Sequence, residues 1–444
     1  MDFKNKATSI NLFSIGTPQM RAFHITWVSF FLAFFGWFGI APLMAIVRED
    51  LSLTSQQVGD TIIAGVFVTI IARLIIGPIS DRIGPRLTYT FLLIFGSLPV
   101  MFIGLSQTFA HFMIFRLAIG VIGASFVITQ FHTSLMFAPN VVGTANATTA
   151  GWGNLGGGVT QAVMPQIFLA VVAVVGSEFL GWRIAMAIPG IALFCMGIAY
   201  YFLTQDAPDG NFKELRERGE MPAAKKGEGT FMEAAKDYRV WALFIVYAAC
   251  FGIELTINGT AALYFIDYFG VNVATAGLIA SLFGLMNIFA RSTGGYISDR
   301  AAKMNGLKGR VMFLFVVLLL EGIALIFFSR ATALMLAIPL LIVFSITVQM
   351  SEGATYGIVP FINKKALGSV SGIVGAGGNF GAVMAGFLFR QADLAWGNAY
   401  LILGVLVVVS SFTALVVRFS TQEETQVKEE IKERMELDLE IATA

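Results

Sequence analysis

Charge is scarce in this chain. Of 444 residues only 13% are Asp, Glu, Lys or Arg, while 57% are hydrophobic. Mean hydropathy is +0.77, and a soluble globular surface of this size cannot be made from such a composition. Cysteine is almost absent. The two present, Cys195 and Cys250, fall in apolar stretches and suggest neither a disulfide framework nor thiol catalysis, and three scattered histidines (His24, His111, His132) make no metal-ligand spacing. There is no phosphate-cradling loop, no nucleophile-and-base set that could be assembled and no basic domain suited to nucleic acid. An enzyme is therefore disfavoured, and no cofactor or metal is expected. The residues ahead of the first apolar run lack the short apolar core and small-residue cleavage site of a secretory signal, so the first span is expected to act as the insertion signal. The net charge of +1 says nothing about partners.

What the chain has in abundance is apolar sequence of bilayer length. Twelve runs of roughly 20 residues, the length that spans a bilayer as helix, are expected near 22–47, 58–80, 87–106, 108–131, 142–170, 180–204, 239–264, 273–298, 309–329, 333–358, 366–390 and 395–418. The expected fold class is an all-α integral membrane protein of twelve transmembrane helices. If the N-terminus is inside, 22 of the 29 Lys and Arg residues fall on the inner side, four (Arg48, Arg183, Arg330, Arg390) on the outer, and three (Arg73, Arg116, Arg291) within spans. Cytoplasmic loops retain Lys and Arg, so both termini are read as cytoplasmic in a multi-pass protein of the plasma (inner) membrane. A polar segment, QDAPDGNFKELRERGEMPAAKKGEGTFMEAAKDYR, separates spans six and seven. The expected organisation is an N-terminal six-helix bundle (1–204), an inter-bundle loop (205–238), a C-terminal six-helix bundle (239–418) and a charged tail (419–444). The tail, QEETQVKEEIKERMELDLE, spaces acidic residues one turn from Lys and Arg, as a solvated cytoplasmic helix does.

Two motifs repeat between the halves. RLIIGPISDR begins at Arg73 in span two, and RSTGGYISDR begins at Arg291 in span eight; six of ten positions agree. GWGNLGGGVT in span five and GAGGNFGAV in span eleven share a Gly-Asn-x-Gly core carrying Asn154 and Asn379. Parallel halves related by an axis along the membrane normal are the architecture of major facilitator transporters, whose substrate site lies between the halves. GPISDRIGPR (Gly77 to Arg86) resembles that superfamily's cytoplasmic Gly-x-x-x-Asp-Arg-x-Gly-x-Arg motif, and RLAIGVIG from Arg116 resembles its Arg-x-x-x-Gly-x-x-Gly pattern, whose arginine is often linked to proton coupling. Asp81, Arg82 and Arg86, with the repeat pair Asp299 and Arg300, read as a gate latch rather than a substrate site.

An arginine at a helix centre costs on the order of 3 kcal/mol on insertion scales. Arg73 and Arg291 could each be neutralised by a carboxylate from a neighbouring span, and Glu254, Glu321 and Glu352 are available. The preferred reading is that they face each other across the pseudo-twofold axis and clamp an anion, because neither has an acidic residue one turn away and a planar, forked guanidinium suits a small planar oxyanion. The glycines of spans five and eleven allow close helix approach, while each buried asparagine needs partners or donates to the anion.

AGWGNLGGGVTQ and GIVGAGGNFGAVMAG look like the paired signatures of the nitrate/nitrite porter family. FHITWVSFFLAFFGWFGIAPL resembles that family's first span, and FGIELTINGTAALYF and SEGATYGIVPFI resemble its assimilatory, uptake-type members. The resemblance implies nitrate, and nitrite, as substrate. It also implies that Arg73 and Arg291 are the substrate arginines, that Asn154 and Asn379 belong to the pocket or its moving helices, and that Phe34 and Phe126 wall the flat anion. Where dissimilatory exchangers place aromatics in span seven, this chain has Glu254, Thr256, Asn258 and Thr260.

Accumulating a monovalent anion against an inside-negative potential costs about 2.3 kcal/mol per 100 mV, so proton symport is expected, two protons making the complex net cationic. Glu254 and Glu352 are the coupling candidates, with Arg116 as their candidate partner. The expected carrier works by alternating access as a monomer in lipid. Alternatives are a nitrate/nitrite antiporter, a nitrite exporter, or a carrier of formate or a larger carboxylate. A sensor would need a signalling domain that neither loop nor tail is long enough to form.

Overall fold

Polar punctuation between the apolar runs becomes helix caps. Thr54 opens span 2 through a reciprocal box with Gln57, Ser177 caps span 6 and Asn272 caps span 8, satisfying backbone donors that a helix start leaves free. The computed structural model describes residues 5–137, 142–220, 230–363, 367–391, 393–425 and 429, and the side chains of Asp81 and Asp299 lie outside the described residues. Among these, twelve helices are long and apolar enough to cross a membrane. They are spans 1 to 12: Pro18–Asp50, Ser55–Gly77, Pro85–Leu105, Phe109–Met136, Thr144–Val175, Glu178–Leu203, Tyr238–Phe269, Val273–Ala302, Met304–Ser329, Leu334–Ile358, Ser369–Phe389 and Trp396–Ala414. All twelve coincide with the sequence expectation, within several residues at their ends.

The helices are not uniform rods. Tight 3-10 turns interrupt span 1 at Ala41–Leu43, which contains Pro42, span 4 at Val121–Ala124, and span 8 at Met286–Ile288. Such stretches change the hydrogen-bond register inside a helix and commonly mark functional positions. Spans 8 and 9 run on through a sharp kink at Asn305 and Gly306, where Gly306 takes φ 65°, a left-handed conformation that glycine adopts without steric cost.

The first six spans meet the last six along two seams, span 2 against span 11 and span 5 against span 8. Glycine makes the second seam possible. A Cβ on Gly158 would strike the backbone of Gly284, and one on Gly284 would strike Gly158, so these helices touch backbone to backbone. On the face opposite the chain termini, ion pairs tie the halves together: Arg48 of span 1 bonds both oxygens of Asp267 in span 7 at 2.9 Å, and Arg390 after span 11 meets Asp60 of span 2 at 2.6 Å. Toward the terminal face the packing loosens. Gly77 of span 2, Gly295 of span 8 and Gly372 of span 11 look onto open space.

The terminal face is braced within each half instead. Asp206, just after span 6, accepts from the backbone N–H groups of Arg86 and Phe212, both at 2.9 Å, capping span 3 and the short loop helix Phe212–Glu217. Burial pushes its carboxyl above the usual range, against the pull of those two donors. In the last six spans, Glu423 pairs with Arg239 at 3.0 Å, and Glu424 accepts from the backbone of Leu307 and Lys308 at the start of span 9. The beginning of the tail is thus docked rather than solvated; most of the remainder lies outside the described residues.

Gly158→Val is expected to lower the thermal unfolding midpoint in detergent, since overpacking a tight contact costs about 1–3 kcal/mol. Gly372→Ala, placed in open space, is expected to leave the midpoint unchanged or raise it slightly. Equal effects from the two would contradict the seam.

Candidate functional site

Each repeated arginine reaches across to the glycine motif of the opposite half. Arg73, in span 2, donates from Nη1 to the carbonyl of Gly375 in span 11 at 2.9 Å and from Nε to the carbonyl of Gly123 at 3.3 Å. The latter acceptor sits in the 3-10 turn of span 4. Arg291, in span 8, packs its side chain beside Gly151 in span 5. Both are buried, 3% exposed.

The two arginines differ in their partners. Arg291 binds Glu352 of span 10 through Nη1 at 2.5 Å and the Tyr247 hydroxyl through Nη2 at 3.1 Å. Among the described residues Arg73 has no carboxylate, and its Nη2 has no hydrogen-bond partner. The expectation of two uncompensated arginines therefore holds at Arg73 and fails at Arg291. Glu352 is one of the three carboxylates that neighbouring spans offered as a neutralising partner, and it is the one span 10 brings to Arg291.

Aromatic rings enclose the pair. Arg73 lies over Phe126 at 5.1 Å and Phe251 at 5.4 Å. Tyr247 stacks on Phe251 with centroids 5.1 Å apart, and Tyr356 closes the box edge-on to Phe126 and Tyr247. Phe126 is where the resemblance implied a wall. Phe34 touches neither arginine in this arrangement; it packs against Phe30, Trp37 and Phe38. Tyr247, Phe251 and Tyr356 were missed by sequence reasoning. Span 7 does present aromatics to the site, one and two turns before the polar run that drew attention, and only helical phase relative to Arg73 could have singled them out.

Glu254 is a hub. Its carboxylate accepts from Asn154 of span 5 at 3.1 Å, from Asn287 in the 3-10 turn of span 8 at 2.8 Å, and from Gln349 of span 10 at 3.3 Å. Asn154 thus bridges the halves through Glu254, with its own carbonyl oxygen unpartnered. Asn379 behaves differently: it reaches back to the Gly375 carbonyl at 3.5 Å, and its Oδ1 is free. Arg116 is not a partner of Glu254 or Glu352. It stays among the first six spans, donating to the carbonyls of Thr61 and Trp37 at 3.4 Å, because span 4 presents it to spans 1 and 2.

Of the expected latch, Arg86 donates to the Tyr201 carbonyl at 2.7 Å and lies 4.2 Å over its ring, the Arg82 carbonyl accepts from Arg216, and Arg300 reaches Tyr296. Asp81 and Asp299 lie outside the described side chains. His132 is buried between Tyr200 and the Gln205 carbonyl, a structural role. Among the described residues no cluster of His, Cys, Asp and Glu could hold a metal ion.

Residues 26–363 match the sequence profile of the Major Facilitator Superfamily. "High affinity nitrate transporter 2.5" of Arabidopsis thaliana is 38% identical over 420 residues, covering 94% of this chain and 84% of that protein. The chain belongs to the nitrate/nitrite porter family of the major facilitator superfamily. Its similarity extends to "Nitrate/nitrite transporter NrtP" of Nostoc punctiforme, 28% identical over 86% of this porter and 89% of that one. The fold is shared with a bacterial homologue of the human lysosomal transporter Spinster, solved in an inward-facing, unoccupied conformation: TM-score 0.66 at 16% identity, covering 91% of this chain and 99% of that one. These relatives are named transporters, and this porter is a transporter rather than an enzyme.

Removing the Glu254 hub strands three buried amides, each left unpaired at about 1–3 kcal/mol. Glu254→Leu should therefore lower the unfolding midpoint well below that of Glu254→Gln, which keeps one acceptor oxygen; similar midpoints would show that the hub contributes little.

Proposed function

We propose that this porter imports nitrate, and nitrite, by proton-coupled alternating access, with the anion held between Arg73 and Arg291. The observation that carries the reading is the unpaired face of Arg73. A guanidinium with a free Nη2, opposite a second guanidinium and between flat rings, suits a small planar monovalent anion: the fork supplies donors in the plane, and ring faces cover it above and below. Relatives named as nitrate transporters narrow that class to nitrate and nitrite. Asn154 and Asn379, each with an unused amide oxygen, serve as movable elements of the seam rather than as anion donors in this state, and Phe34 becomes a wall only if span 1 shifts.

With the Lys- and Arg-rich terminal face taken as cytoplasmic, the ion-paired far face is the outside and the loosened seam opens inward. Residues 1–204 and 239–418 would rock as two bodies around the fixed site, in a monomer. The Arg48–Asp267 and Arg390–Asp60 pairs are then the outer latch, and the motif around Arg82, Arg86 and Arg300 is its inner counterpart. Symport is favoured over nitrate/nitrite exchange because two carboxylates, Glu254 and Glu352, are built into the site, and exchange requires no titrating group.

The test uses purified protein in liposomes enclosing a pH-sensitive dye, with nitrate outside and no nitrite inside. Uptake with luminal acidification supports symport; uptake only after nitrite loading supports exchange. Arg73→Ala and Arg73→Lys should both lose transport while inserting normally, because lysine lacks the fork; a fully active Arg73→Lys would sink the clamp.

Breaking both outer pairs with Arg48→Ala and Asp60→Ala should favour the outward-open state. Exposed ion pairs contribute about 0.2–1 kcal/mol each, so with two pairs the shift in population is expected to be about thirtyfold or less, read from spin-label distances across the outer face. An unchanged distance distribution would remove these pairs from the gate.

A further inference from the structure

Glu352 stands where a bound anion would stand on Arg291. Its Oε2 takes the guanidinium Nη1 at 2.5 Å, and its Oε1 has no donor among the described residues. Glu254, by contrast, has both oxygens committed to three amides from spans 5, 8 and 10. One carboxylate is pinned, and the other is held by the single group that the substrate also needs.

We propose that Glu352 is a tethered counter-anion that the substrate displaces from Arg291, and that it leaves as the carboxylic acid, so that loading one anion takes up one proton at this residue. This rests on the nitrate-transport reading and assigns its proton. The step balances: the Arg291 guanidinium paired with the Glu352 carboxylate, plus nitrate and one proton, gives guanidinium paired with nitrate and a neutral Glu352 carboxyl. No bond within nitrate is made or broken, and the proton comes from the solution that supplies the anion.

The surroundings set the direction of that exchange. Among the described residues, the titratable and charged groups facing Glu352 come from four helices: Tyr247, Cys250 and Glu254 of span 7, Arg291 of span 8, Glu321 of span 9, and Tyr356 one turn along span 10. Arg291 is the only cation among them. Once the anion takes its guanidinium, an ionised Glu352 would be left in a dry site beside two other carboxyl groups, and a buried charge without a partner is unstable relative to its neutral form. The protonated carboxyl can then donate to Glu254, which lies within hydrogen-bonding reach. The total charge of the site is the same empty and loaded, so carriage of the anion with this proton is electrically neutral.

The sign of the pH dependence follows. Because binding consumes a proton, affinity rises as pH falls, tenfold per pH unit across the window in which Glu352 is ionised when empty and neutral when loaded. The experiment is calorimetric titration of the purified full-length protein with potassium nitrate, from about pH 6 to about pH 8, in two buffers of different ionisation enthalpy, so that proton uptake is counted directly. The wild type is expected to take up one proton per nitrate. Glu352→Gln is expected to take up none and to bind with a pH-independent constant, while Glu321→Gln still takes up one. Nitrate-dependent stabilisation against heat reports that each variant is folded and binding. A wild type that binds nitrate without proton uptake anywhere in that range overturns the proposal whatever the variants do. So does a Glu352→Gln that retains uptake, or loss of uptake in Glu321→Gln alone. A folded wild type that binds no nitrate at all overturns the transport reading instead.

Discussion

A guanidinium deep among apolar helices cannot rely on water, so the protein itself must supply its partners. At Arg73 the supply is split between the halves: one carbonyl comes from the 3-10 turn of span 4 and another from the glycine motif of span 11. That requirement orders much around it. The helix in span 4 must loosen to aim a carbonyl inward, span 11 must approach without a side chain in the way, and the rings of Phe126 and Phe251 must stand on either side of the charge. The repeated RxxxxxxSDR and Gly-Asn-x-Gly motifs are two ends of this one constraint, since each arginine lies against the opposite half's glycine run.

The pseudo-symmetry stops at the carboxylates. The second half places Glu254, Glu321 and Glu352 on spans 7, 9 and 10, and the described first-half site has no counterpart to them. One arginine is therefore self-neutralised and the other is not. On the proposed reading, an anion arriving at the site is drawn by Arg73 and must contend for Arg291. A symmetric clamp would bind more tightly but would hold two unpaired buried charges whenever empty; the asymmetric one reduces the cost of the empty state, which a carrier must pass through on every cycle.

The fold was legible because its signal is thermodynamic and local: runs of bilayer length, charge excluded from them, and polar caps between. The two arginines and Asn154 were legible from repetition, since a residue costly in lipid and present twice in register is improbable as accident. Which of the three available carboxylates, Glu254, Glu321 or Glu352, meets Arg291 was not, because an interhelical pair is fixed by helix rotation, which spacing along one helix does not encode. The same blindness hid Tyr247, Phe251 and Tyr356 among 41 Phe and 10 Tyr residues, and it let Arg116 seem near carboxylates that lie in the other half. In span 1, Phe34 packs on Phe30, and it is Phe30 that meets Phe126; which of these rings faces the site is again a matter of helix rotation.

Bracing suits the proposed alternating access by whole halves. Asp206 ties the end of span 6 to the start of span 3, and Glu423 and Glu424 tie the tail to spans 7 and 9, so each half is stiffened within itself at the terminal face. Between halves the terminal-face seam is loose and the far-face seam is held by two partly exposed ion pairs of modest strength. A difference of a few kcal/mol between the two seams leaves both states populated. On the proposed exchange of partners at Arg291, the binding of one anion would act on a balance fine enough for it to tip.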